Sequence, residues 1–223
     1  MHEHWTSIDL IPESSPHFSK FKNQKSQDLV SEDSQLPNNI WQIYSSHFFE
    51  HLNLHQVRQL LKKCFDHSAT GSTLRIVVPD ADIILDRYAH GDINFFNPLL
   101  PILASDKLEP TLENHALVIL NQANSQNPKA LELLLSFKKG QIDSSEIIHE
   151  LNKLSETTSN DSEGRNHLTC FNYDYLEGLL KEAGYKHIEK SFFMGSRTEE
   201  MRETPLFDST HPWMSLYVEA SKH

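Results

Sequence analysis

Trp5 to Leu10, WTSIDL, alternates apolar and polar side chains and runs into Pro12, as a strand ending at a loop does. Residues Pro12 to Asn39 are polar and broken by prolines, with one weaker strand pattern ending at Asp28-Leu29. Ile40 to Tyr44, IWQIY, is rich in β-formers and stops at Ser45-Ser46, whose hydroxyls suit the cap of a helix beginning near His47. Leu54, Val57, Leu60, Leu61, Cys64 and Phe65 recur at three- and four-residue steps. That spacing predicts an amphipathic helix from Leu52 through Phe65, stopped by a turn at Thr70-Gly71.

Ser72 to Asp80, STLRIVVPD, has a β-branched centre too continuous for a strand with one wet face, so it reads as a strand buried in a parallel sheet. Asp80 opens a further helical pattern, DADIILDRY. From Gly91 to Arg165 helical patterns such as Ala130 to Lys138 and Glu146 to Leu154 alternate with polar linkers, and Ser155 to Gly164, SETTSNDSEG, is a low-complexity loop. Tyr173 to Ala183 reads as a helix with Gly184 in the C-cap position, and HIEKSFF and WMSLYVEASK read as closing strands. This order predicts an α/β fold with an open, mainly parallel sheet covered by helices. Its expected parts are a core over 1–90, a helical insertion or lid over 91–165, and a second part of the core over 166–223.

Charge and cysteine usage narrow the partners. With 31 acidic against 20 basic side chains the formal charge is −11, which opposes binding to nucleic acid or to an anionic membrane, and the longest basic run is Lys62-Lys63. Cys64 and Cys170 lie far apart, which argues against a disulfide framework or a thiolate zinc site. No apolar run approaches the ~18 residues of a membrane span, and Met1-His2-Glu3-His4-Trp5 lacks a signal-peptide layout, so a cytoplasmic protein is expected.

The stretch SSHFFEHL places His47, Glu50 and His51 in the H-x-x-E-H spacing of inverted zinc peptidases. On one helix, His47 and His51 would share a face, and Glu113 or Glu132 could complete a metal set. A zinc hydrolase is therefore one reading. With 14 histidines in the chain the pairing also arises by chance, and capping or packing is the plainer role for both rings.

The residues WTSIDL, QDL followed by LP, IYSSHFFEHL, LRIVVPDADIILDRY, NYDYLEGLLKEAGY and SLYVEASK together resemble the class I S-adenosylmethionine-dependent methyltransferases. The likeness is to a type 11-like bacterial branch often encoded near surface-polysaccharide genes, and it covers most of the chain outside 91–165. It implies a Rossmann-like sheet and S-adenosylmethionine as cofactor, with no metal. Asp9 then resembles the acid that binds the ribose hydroxyls, and Asp28, with Leu29, the segment facing the adenine. Ser45, Ser46 and His47 resemble the fourth-strand edge beneath the methionine portion. In this reading the H-x-x-E-H spacing is coincidental.

Two departures accompany the resemblance. The family's strand and G-x-G-x-G loop would precede Trp5, so the sheet is expected to lack its first, central strand, and a second copy or a protein partner could complete it. Thr70-Gly71-Ser72 replaces the usual Pro-Gly-Gly turn. Methyl transfer needs a base only if the acceptor must lose a proton, and His47, His51 and His167 are the candidates. The resemblance implies a saccharide or other small-molecule hydroxyl acceptor. A catalytically degenerate partner or regulatory module is the alternative.

Overall fold

A computed structural model describes residues 5–9, 23–26, 28–31, 33–156, 158, 166–203 and 206–223. The chain divides into two compact units, Met1–Asn38 and Asn39–His223. In the first, β1 (Thr6–Asp9) pairs in parallel with β2 (Asn23–Ser26), Thr6 opposite Asn23 and Asp9 opposite Ser26. The second strand thus ends before Asp28-Leu29, where the sequence pattern had placed its end.

The second unit begins with β3 (Ile40–Ser46), a 3-10 turn at Phe49–His51, α1 (Leu54–His67) and β4 (Ser68–Pro79). The expected continuous helix from His47 is therefore corrected. Ser45 and Ser46 remain in β3, and the helix is capped by Asn53, whose side chain accepts the Gln56 N–H at 3.0 Å while the Gln56 side chain accepts the Asn53 N–H at 3.0 Å. This capping box satisfies two backbone donors that a helix start otherwise leaves open. Val57, Leu60, Leu61 and Cys64 form its buried stripe.

Thr70-Gly71-Ser72 is likewise no helix-ending turn, because it lies inside β4. Ile40 pairs with Ser68 but Gln42 with Thr73, so the extra residues of β4 bulge out. Gly71 supplies the left-handed backbone there, φ 83°, and donates its N–H to the Lys222 carbonyl at 2.7 Å.

Leu74, Ile76, Val77 and Val78 are buried on both faces of β4, as the apolar run predicts. The sheet order is β3-β4-β6-β5, with β5 at His187–Ser191 and β6 at Ser215–Ser221. Only β3 and β4 are parallel; β6 runs antiparallel to both β4 and β5. The expectation of a mainly parallel sheet gives way to a mixed one, since the chain enters β6 from a long loop after β5 instead of through a crossover helix.

Between β4 and β5 lie α2 (Ala81–Ala89), α3 (Ile93–Phe96), α4 (Leu100–Ser105), α5 (Leu112–Asn121), α6 (Pro128–Lys138), α7 (Ser144–Leu154) and α8 (Tyr173–Ala183). Segment 91–165 is helical through most of its described length, and it shares one hydrophobic cluster with α2, including Ile84, Tyr88, Leu117, Leu134 and Ile148. Of the low-complexity stretch, only Ser155, Glu156 and Thr158 are within the described residues. Gly184 ends α8 with φ 116°, and a Cβ there would meet the Phe65 ring at 2.8 Å, so backbone conformation and close packing both require glycine.

Candidate functional site

β3, α1 and β4 make a strand-helix-strand unit with parallel strands, and ligands of open α/β sheets bind at the carboxyl ends of such strands. His47 leaves the end of β3 there. Its backbone N–H donates to Val77 O at 2.8 Å, after which φ turns to 48°. A left-handed backbone costs a non-glycine residue about 1–2 kcal/mol, and such strain concentrates at functional sites.

The 3-10 turn that follows buries Glu50, which is 1% exposed. His47 Nδ1 lies 3.1 Å from Glu50 Oε1, at ion-pair distance, but neither carboxylate oxygen accepts an aligned hydrogen bond. Burial alone would raise this acid, yet His47 beside it and the His167 and His51 rings draw it below the usual carboxylate range. Glu50 is consequently an anion with histidines around it.

Segment 166–170 is laid against this turn by its backbone. Leu168 and Thr169 N–H groups both donate to Glu50 O, at 2.7 and 3.1 Å, and Thr169 Oγ1 donates to Leu52 O at 2.7 Å. His167 therefore meets His51 with ring centroids 4.8 Å apart. Each ring contacts a carbonyl through Nδ1, His51 that of Asn166 at 3.3 Å and His167 that of Ile119 at 2.7 Å. A carbonyl only accepts, so both Nδ1 atoms carry a proton. Desolvation pushes His167 down to about 4, with Glu50 opposing.

The structure thus brings together His47, His51 and His167, though not on one helix as the H-x-x-E-H spacing suggested. Glu113 and Glu132 do not join them: Glu113 accepts from Tyr88 Oη at 3.3 Å, and Glu132 is exposed on α6. Glu50, His51 and His167 themselves hold ligand-type atoms within 4.8 Å of one another. Ser45 Oγ and Ser46 Oγ are buried in β3 without a hydrogen-bond partner, so neither acts as a cap. Asp9 closes β1, where its side chain is outside the described part. Asp28 is exposed and accepts the Val30 N–H at 3.0 Å, and Leu29 O accepts from Ser34 Oγ at 2.9 Å.

Two neighbours of this edge were not foreseen from the sequence. Ser215 Oγ lies 2.9 Å from His47 Nε2 and donates to His211 O at 2.8 Å. His211, also left-handed at φ 43°, stands edge-on to His47 with centroids 5.4 Å apart. Burial lowers its pKa, assisted by His47 and opposed by Glu50. No local pattern marks His211 or Ser215, because a long loop delivers both.

Asp80 ends β4 and caps α2, accepting the Asp82 N–H at 3.1 Å, with Lys190 Nζ 3.4 Å away. Burial raises its pKa, Lys190 lowers it and Asp82 raises it, with a net upward shift. For an acid, a raised folded pKa means that ionisation opposes folding. The penalty is complete above the folded pKa and vanishes as pH falls toward 3.8. Asp80→Asn, which keeps the cap, is expected to be more stable than the parent at pH 7. Urea unfolding at stepped pH should show the difference closing as acid is added.

A groove of about 430 Å³ among α1, α7 and α8 is lined by Arg58, His149, Lys153, Asp174 and Glu182, among others, and by none of the strand-end residues. Mutually paired surface charges such as Arg58 and Glu182, at 3.1 Å, mark it as a wetted groove rather than a formed ligand site. No helix among the described residues is long and apolar enough to cross a membrane.

No family model matches the sequence, and no curated protein does. Among solved structures, the chain is similar to an S-adenosylmethionine-dependent methyltransferase of Archaeoglobus fulgidus at 15% identity and TM-score 0.45, covering 97% of this chain and 75% of that one. It is similar to a candidate O-methyltransferase of Nostoc punctiforme at 12% identity and TM-score 0.39, covering 90% of this chain and 36% of that one. A candidate exported protein of Bordetella parapertussis stands at 12% and 0.42, covering 97% of this chain and 52% of that one. The chain therefore spans about a third of the Nostoc protein and about half of the Bordetella one. The likeness to methyltransferase folds is distant and of low identity.

Proposed function

We propose that the chain is an S-adenosylmethionine-dependent methyltransferase acting on a hydroxyl of a saccharide or other small molecule. The observation that carries the reading is the position of Ser45-Ser46-His47, the motif that resembles the family's methionine-side edge. It stands at the carboxyl end of β3 in the parallel β3-α1-β4 unit, and two of its side-chain hydroxyls are buried without partners. Successive strand residues face opposite sides of the sheet, so one of those hydroxyls suits the polar methionine portion of the cofactor. None of the seven glycines is spaced as G-x-G.

When bound, S-adenosylmethionine supplies an electrophilic methyl group for in-line transfer to an acceptor oxygen. The chain's own contribution is orientation and charge. His47, beside Glu50 and one of the three candidate bases, is the group to receive the acceptor's proton, and the buried carboxylate balances the positive charge gained. Helices α3 to α7 are the element to shape the acceptor side.

Titration calorimetry with S-adenosylhomocysteine tests the reading. Binding in the micromolar range, lost in Asp9→Ala, is the expected result. No binding at millimolar ligand overturns it and favours the second reading, a cofactor-free relative that acts as a partner module. That alternative draws on β3, an outer strand of its sheet among the described residues with Trp41 65% exposed, where a second copy or another protein could add a strand.

A further inference from the structure

We propose that Glu50, His51 and His167 form a binding site for one divalent first-row transition-metal ion, of which zinc is the natural example. Three independent observations converge on it. The first is the donor set: two imidazole nitrogens and a carboxylate oxygen lie within 4.8 Å of one another. Two ligands at the usual ~2.1 Å from a tetrahedral ion are about 3.4 Å apart, so modest side-chain rotation closes the set. Nitrogen-rich ligands of this kind select zinc, cobalt, nickel or iron over magnesium or calcium.

The second observation is the orientation of the rings. His51 and His167 both contact backbone carbonyls through Nδ1, at 3.3 and 2.7 Å. Metal-binding histidines recur with this outer hydrogen bond, which fixes the tautomer and presents Nε2 to the ion. The third is Glu50 itself, a fully buried carboxylate neither of whose oxygens accepts a hydrogen bond. A buried anion so poorly satisfied calls for a compensating cation, and His47, at 3.1 Å from Oε1, reaches one oxygen only.

The backbone supports the same conclusion. Glu50 and His51 are consecutive in a 3-10 turn whose carbonyl at Glu50 holds the N–H groups of Leu168 and Thr169. The third ligand thus comes from the residue next to that anchor, on a segment more than a hundred positions along the chain. His51 and His167 are each partly exposed, so the cluster is not sealed from solvent. A substrate hydroxyl or water taken up there would lose its proton more easily.

The test uses untagged full-length protein stripped with EDTA and titrated with cobalt(II), followed by its visible absorption and by elemental analysis of bound metal. One equivalent of tightly held cobalt, displaced by zinc, is expected. His167→Gln and Glu50→Gln should each weaken binding at least about tenfold, whereas His90→Gln, at an exposed ring on α2's end, should not. His51→Gln serves in place of any variant that does not fold, as judged by circular dichroism, and zinc should raise the parent's melting temperature. Absence of a tight equivalent in the parent overturns the proposal, as does unchanged affinity in the folded ligand variants or an equal loss in His90→Gln. All these readouts are made without S-adenosylmethionine, so failure here is distinct from failure of the methyl-transfer reading.

Discussion

Arg75→Met should lower the free energy of unfolding by about 3–5 kcal/mol, seen as a large fall in the urea midpoint. Arg75 is wholly buried at the centre of β4. Its guanidinium uses all five of its donors. Nε and Nη2 grip Asp208 at 3.0 and 2.6 Å, Nη1 reaches Glu219 at 2.9 Å and Ser191 Oγ at 3.1 Å, and Nη2 also reaches Phe192 O at 2.9 Å. Both acids are themselves buried. Removing the cation leaves two carboxylates with no counter-charge in a low-dielectric interior, and that penalty exceeds the modest net worth of the intact network.

The sheet register makes this network unavoidable. Arg75 stands directly opposite Glu219 on β6 and Tyr44 on β3, and the Tyr44 hydroxyl accepts the Asp208 N–H at 2.6 Å. Arg75→Lys should fail nearly as badly, because an ammonium has three donors and no fork to match a carboxylate. Neutralising the acids along with the arginine, as Arg75→Met/Asp208→Asn/Glu219→Gln, should recover much of the lost stability. A triple variant no more stable than the single one would show that packing, not charge, is the cause. Asp208 also accepts the Met194 N–H at 2.9 Å, so the same network orders the loop leading to His211 and Ser215 beside His47.

Asn152→Ala is the second substitution expected to act strongly, costing about 2–4 kcal/mol. Its side chain forms a closed pair of bonds with Cys170: Asn152 Nδ2 donates to Cys170 O at 3.0 Å, and Cys170 N–H donates to Asn152 Oδ1 at 2.8 Å. Alanine would leave a buried donor and a buried acceptor unsatisfied together. Asn121 cannot substitute, since its amide is already committed to Leu151 O and Leu168 O at 2.8 and 3.3 Å. These two asparagines tie the His167-bearing segment to α5 and α7.

Loosening of that segment has a chemical reporter. Burial pushes the Cys170 thiol up to about 12, which keeps it inert in the intact fold. In Asn152→Ala, Cys170 should react with a thiol reagent faster than in the parent, while Cys64, also buried on α1, should change far less. Equal acceleration of both would indicate global destabilisation instead of local release. Asn152→Asp is the informative companion, because it keeps the acceptor for the Cys170 N–H while replacing the donor to Cys170 O by a carboxylate oxygen and adding a buried charge.

Much of the second unit was legible along the chain, and the reasons are local. The stripe of α1, the Gly184 stop of α8, the doubly buried run of β4 and the helices α6 and α7 all follow from spacing within a few residues. Errors arose where a local signal had two meanings. Ser45-Ser46 suits a helix cap as well as a strand end, and the neighbouring Asn53 with Gln56 forms the actual cap. Gly71 suits a turn as well as a bulge, and pairing across to β3 made it a bulge.

The sequence by itself determined helices α1, α2, α6, α7 and α8 and the neighbouring strands β3 and β4, because propensity and amphipathic period act over one or two turns. Only the tertiary structure decided the antiparallel return of β6 and the pairing of Arg75 with Asp208 and Glu219. It likewise gathered His167 with Glu50 and His51, and His211 with His47. Those contacts join positions far apart along the chain, and they depend on strand register and on loop paths that carry no periodic signal. Fixing them requires the whole core to pack, which is why the charged centre of this molecule is unreadable from any window of its sequence.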